Sequence, residues 1–93
     1  NKYGSTPLHI ASSAGKVDMV RLLLQFKVDP NTKNKYGETP LHIASSTRQV
    51  DIARLLLQSK VNPNTKNNHG NTPLRVSSNP EMKQLLESNM QIE

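Results

Sequence analysis

Apolar residues return along this chain in short bursts at a constant interval. Val17, Val20 and Leu24 fall at i, i+3 and i+7, and Met19, Leu22 and Leu23 widen the stripe. Only Asp18, Arg21 and Gln25 interrupt it with clearly polar side chains. The pattern predicts a helix near Asp18–Phe26 that has neighbours on several sides. An earlier burst is marked by Thr6-Pro7. Proline pushes the preceding residue out of the helical region, which suits an N-cap, and is itself suited to the first helical position. A short helix is therefore expected from Pro7 to about Ala14, ending at the Gly15 turn. Its inward residues are expected to be Leu8, Ile10 and Ala11, with small Ser12 and Ser13 permitting close approach.

The same burst pattern then repeats. Asn1–Lys33 and Asn34–Lys66 differ only at Ser5, Ala14, Gly15, Lys16, Met19, Val20, Phe26 and Asp29 of the first unit. A third unit starts in phase at Asn67 and loses about three residues around Asn79, judged by matching Leu85-Leu86 to Leu55-Leu56. Its second helix is expected over Glu81–Ser88, with Met82, Leu85 and Leu86 inward and Glu81, Lys83, Gln84 and Glu87 outward. Turn-forming Asp29-Pro30-Asn31 and Tyr36-Gly37 connect one unit to the next. A fixed period of this length signals stacked supersecondary units, each unable to bury its apolar face alone.

Helix, turn, helix and hairpin-like loop, with TPLHIA twice in phase, VD-(M/I)-(V/A)-RLLL twice, and DPN or NPN after it, resembles the ankyrin repeat. The resemblance covers essentially the whole chain. It implies an all-α solenoid of three stacked helix-turn-helix units joined by hairpin-like loops. The expected organisation is a single domain over 1–93, with repeats at 1–33 and 34–66 and a shortened capping repeat at 67–93. The polar third unit reads as a C-terminal cap. The first unit carries no such modification, so the chain is expected to be the C-terminal piece of a longer array.

Each full copy of TPLHIASS holds a Thr, a His and two Ser, the raw materials of nucleophilic catalysis. Their phase argues otherwise. His9 and His42 sit three residues after Thr6 and Thr39, the reciprocal position of a capping box, and Thr72 repeats the start a third time without a His. The resemblance implies a fold-forming role for Thr6, His9, Thr39, His42 and Thr72. A catalytic reading would need a base, a nucleophile and an orienting acid converging in one pocket, whereas these groups recur one set per unit. No enzymatic activity and no cofactor are expected.

Departures from the family pattern are also informative. The family usually has Gly just after the second helix, where this chain has Lys27 and Lys60. It usually has Gly between the helices; Gly15 keeps it and Arg48 does not. Arg75 replaces His in the third unit. Each non-Gly residue at such a turn should cost about 1 kcal/mol.

Composition narrows the setting. There is no Cys, which removes disulfides, zinc–thiolate sites and thiol nucleophiles. No apolar run reaches membrane-spanning length, no charged-then-apolar leader opens the sequence, and Asn-X-Ser/Thr acceptor sites are absent. An intracellular home, cytoplasmic or nuclear, is expected. Twelve Lys+Arg against seven Asp+Glu give a net charge of +5, which suits an acidic protein, lipid surface or nucleic acid.

In the family, partners usually dock on the concave side, formed by hairpin tips and the exposed edge of the first helices. By position that surface here is Lys2, Tyr3, Ser5, Ser13, Ala14, Lys33, Lys35, Tyr36, Glu38, Ser46, Thr47, Lys66, Asn68, His69 and Asn71. The stripe is basic, with Tyr3, Tyr36 and His69 in register. Tyrosine beside basic groups resembles a protein-binding hot spot; alternatively, loop tips are simply solvated and each Tyr packs on the next loop. The expected function is a non-enzymatic interaction module whose partner is another protein with an acidic segment. A second possibility is nucleic-acid binding through the Lys stripe, disfavoured by few aromatics, few Arg and no recognition-helix pattern. A third is a passive spacer or regulatory segment of a larger protein.

Overall fold

Thr6, Thr39 and Thr72 share one local conformation. Each holds an extended backbone, and each Oγ1 accepts the amide N–H of the residue three further on. A helix starts at the proline that follows every time. In the computed structural model, which describes residues 2–77 and 79–89, six helices follow in order: α1 (Pro7–Ala14), α2 (Val17–Gln25), α3 (Pro40–Ser46), α4 (Val50–Gln58), α5 (Pro73–Val76) and α6 (Pro80–Asn89). No strand occurs among the described residues. Asn1, Ser78 and residues 90–93, which include the outer ends of the first and last expected units, lie outside them.

The helices form two layers. First helices stack on first helices, α1 on α3 and α3 on α5; second helices stack on second helices, α2 on α4 and α4 on α6. Within each unit the two helices pack against each other, and in the first two units Lys16 N–H and Gln49 N–H donate back to Ala11 O and Ala44 O across the turn between them. The shared core runs between the layers through Leu8, Ala11, Val20, Leu41, Ala44, Ile52, Ala53, Leu56, Met82 and Leu86. Small residues bring the first helices together: Ser12 and Ser45 are fully buried, and each hydroxyl donates to a carbonyl one turn back, Leu8 and Leu41 at 2.7 Å. No described helix is long and apolar enough to cross a membrane.

Three expectations need correction. The second helix begins at Val17 and ends at Gln25, one residue earlier at both ends than the apolar pattern suggests, because Phe26 has already left the helix as its C-cap. The last helix runs from Pro80 to Asn89, longer than expected, because Asn79 Oδ1 accepts the amides of Glu81 and Met82 and so organises its first turn. Ile10 does not face inward; it is 53% exposed. At 3.6 residues per turn it lies about 200° round the helix from Leu8, and Leu8, Ala11 and Ser12 already form the buried face.

The chain turns through left-handed backbone where glycine would be expected: φ is 62° at Lys27, 62° at Arg48 and 67° at Lys60. Coverage of the helices is uneven. Val20, Ile52, Ala53 and Leu56 are buried, but α2 leaves Met19 and Leu22 exposed and Phe26 follows it at 72% exposure. At the matching place in α4, Ile52 is sealed.

Candidate partner-binding surface

The loops between units carry the residues of interest, and their shape is set by asparagine. Asn34 Oδ1 accepts the amides of Tyr36 and Glu38, and Asn67 Oδ1 accepts those of His69 and Asn71. An Asn side chain that bonds its own backbone a few residues on mimics a turn and holds the tip rigidly. The tips then bond to one another. Lys35 N–H donates to Tyr3 O at 2.8 Å, and one repeat later Asn68 N–H donates to Tyr36 O at 2.9 Å. Asn68 Nδ2 adds a bond to Lys35 O at 3.0 Å.

The histidines lock the loops to the helices below. His9 Nδ1 accepts the Thr6 amide at 3.2 Å and lies 2.9 Å from Thr6 Oγ1; its Nε2–H donates to Glu38 O at 2.6 Å. His42 repeats this with Thr39 and with Asn71 O at 2.8 Å. Both rings are buried with both nitrogens engaged. Burial holds the His42 pKa below its ordinary value, opposed by the bond to Asn71 and the charge of Glu38 and reinforced by nearby Lys33. Thr72 keeps its cap on the Arg75 amide, at 3.4 Å. Among the described residues no three His, Asp or Glu side chains gather to hold a metal ion.

Tyr3 and Tyr36 meet in register, their ring centroids 6.0 Å apart and tilted by 33°. That is within the range of favourable aromatic pairs. Both still expose more than two-fifths of their surface, 44% and 42%. Packing on the next loop and presenting a ring to solvent are therefore compatible. Lys2 Nζ stands 5.4 Å from the Tyr3 ring centre. Beneath the two rings is an open groove of about 370 Å³, lined by Tyr3, Ser5, Ile10, Ala14, Tyr36, Glu38 and Ile43 among others.

Of the residues assigned by position, the structure gathers Tyr3, Ser5, Tyr36 and Glu38 in this groove together with Ser13 and Ala14. Lys2, Lys33 and Lys35 are exposed beside it. Thr47, Lys66, Asn68, His69 and Asn71 belong to the next junction, as does Ser46, and do not line it. Several of those have structural bonds: the Thr47 hydroxyl donates to Ile43 O at 2.7 Å, Asn68 ties two loops, and Asn71 O receives His42. Sequence reasoning missed Ile10 and Ile43 as surface residues. The signal was available in the helical phase, since an apolar residue two positions from Leu8 and from Ser12 points away from both.

The model of a family described as ankyrin repeats (3 copies) matches residues 1–67 and 28–93 of the chain, and so spans its length. A comparison with curated proteins finds no match.

Proposed function

Since the chain belongs to the ankyrin-repeat family, whose repeats are generally protein–protein interaction modules, we propose that it binds an acidic segment of a partner protein on its concave, loop-tip surface. In this reading residues 1–93 act as one domain, with repeats at 1–33, 34–66 and 67–93 and no catalytic chemistry of their own, in an intracellular setting. The observation that carries it is the Tyr3–Tyr36 pair, held rigid by inter-loop hydrogen bonds yet two-fifths exposed, with Lys2 beside it. A ring that is already ordered contributes contact area at small entropic cost. Lys33, Lys35 and Lys66 extend the basic stripe and steer an acidic partner toward it.

The opposite, second-helix side supports this choice by contrast. Its Arg21 and Arg54 are paired with Asp18 and Asp51 at 3.1 and 3.2 Å, so its charge is locally balanced.

With a partner in hand, Tyr36→Ala should weaken binding by about 1–2 kcal/mol. Lys35→Ala should mainly slow association and reduce its salt dependence. A footprint around Arg21 and Arg54 overturns the assignment. A steep salt slope with mixed-sequence DNA or RNA, stronger than with any acidic peptide, replaces the protein partner with nucleic acid.

A further inference from the structure

We propose that the groove under Tyr3 and Tyr36 takes one aliphatic side chain, of about leucine size, from an extended peptide whose flanking residues are acidic. This rests on the concave surface being the partner site, and adds what the partner must carry there.

The groove floor is apolar where the rest of the loop surface is polar. Ile10 stands 53% exposed on it, and its counterpart one repeat on, Ile43, is half-buried against it. Ala14 leaves the space open at the end of α1, and the tilted tyrosine pair closes one side. A half-exposed isoleucine alone is ordinary on a protein surface. Two in register with two rings over an open depression form a pocket for an apolar anchor, and such anchors in partly desolvated pockets dominate interface energetics. At about 370 Å³ and open to solvent, the groove is at the small end of ligand sites and suits a side chain better than an enclosed cofactor.

Charge fixes the flanks. Lys2, Lys33 and Lys35 are exposed around the groove, and among the described residues none of them is held in an ion pair. Glu38 is the one carboxylate in the lining, held by Asn34 Nδ2 at 3.0 Å. It disfavours an acidic residue seated in the groove itself. The anchor is therefore neutral and apolar, and the carboxylates lie to either side over the lysines.

The chemistry is particular to this junction. One repeat on, His69 stands where Tyr36 does, Thr47 where Ala14 does, and Val76 where Ile43 does. The Thr47 hydroxyl is bonded to Ile43 O, and Val76 is the last residue of the four-residue α5. A peptide should therefore find one anchor site, not a series.

The test uses three synthetic eight-residue probes: an acidic peptide of Asp and Glu with a central Leu, the same peptide with Ser for Leu, and a Leu peptide with Gln for every acidic residue. Affinities are measured by fluorescence anisotropy. The acidic Leu peptide should bind about tenfold more tightly than its Ser analogue, as expected for partial burial of one leucine. Ile10→Ser should remove that difference while leaving the melting curve unchanged, since Ile10 is outside the core. Lys35→Ala should weaken both acidic peptides and leave their ratio intact. Equal binding of the Leu and Ser peptides, both weakened by Lys35→Ala, overturns the anchor and leaves the acidic-partner reading standing. Binding of the acidic peptides that is insensitive to Ile10→Ser, Tyr36→Ala and Lys35→Ala overturns both. Tighter binding of the neutral Leu peptide than the acidic one overturns the charged flanks.

Discussion

Thr39 donates its backbone N–H to Nδ1 of His42 at 3.2 Å, so that ring nitrogen must be unprotonated. The opposite nitrogen then carries the proton and donates it to Asn71 O, 29 residues away. One neutral tautomer serves both bonds. It caps a helix start in one unit and fastens the loop of the next.

Protonating His42 forces the Nδ1 position to become a donor facing another donor. Its pKa is lowered in the fold by burial, so the folded state holds this proton less readily than the unfolded chain does. Stability from this group is present above the unfolded pKa of about 6.5 and is lost as pH falls through the lower folded value. Thermal melts should decline as the pH falls below about 6.5, and His42→Gln should show a shallower decline. An equal slope in the two proteins assigns the acid sensitivity elsewhere.

His42→Ala should destabilise the fold by about 1–2 kcal/mol, through the lost cap and the unmet Asn71 carbonyl. Urea denaturation gives the number directly. Appearance in the parent of a hydrolytic activity that disappears in His42→Ala with an unchanged midpoint would contradict a fold-forming role.

Gly37 and Gly70 hold equivalent turns, at φ 76° and 79°. A Cβ on Gly37 would meet the backbone N of Asn68 at 2.9 Å, whereas one on Gly70 meets nothing within 4 Å. Gly70→Ala should cost about 1 kcal/mol from backbone strain alone. Gly37→Ala should cost more, about 2–3 kcal/mol, since a loop junction must also shift. Calorimetric melts of the pair would show the gap; equal midpoints would mean that the loop stack is loose.

Lys60 has φ 67° just beyond α4. Lys60→Gly removes the steric penalty of its Cβ and adds some unfolded-chain entropy, and the first effect should prevail by about 0.5–1 kcal/mol. Lys83→Gly, inside α6 and exposed, should lower stability by a similar amount through lost helix propensity. The two melting temperatures should move apart by several degrees in a domain this small.

The fold was readable because its determinants are local and recur. Thr-Pro announces a helix, and a 33-residue shift announces where the next one stacks. Lys27, Arg48 and Lys60 could be placed in left-handed turns because the register assigned glycine positions to them. Ile10 was misplaced because apolar character outranked helical phase, and phase decides which side chains are buried in a helix of only about two turns. The loop network was less accessible. Asn68 reaching Lys35 O, or Asn31 Oδ1 receiving the Asn62 amide, depends on ångström-scale spacing between units. Whether an asparagine solvates or bridges is not encoded in its identity.

The middle unit is covered on both sides, its Leu41, Ala44, Ile52, Ala53 and Leu56 all sealed, while α5 is a single turn and α2 faces water along one flank. In a linear stack each unit is stabilised by its nearest neighbours, so opening should spread inward from the ends. Amide deuterium uptake would then be graded along the molecule, slowest in α3 and α4 and fastest in α5. The Tyr3–Tyr36 junction spans that gradient, one ring on an outer unit and one on the inner. A ligand seated across it would clamp the first unit to the slowest-exchanging part of the molecule, and α2 would gain protection without any contact of its own.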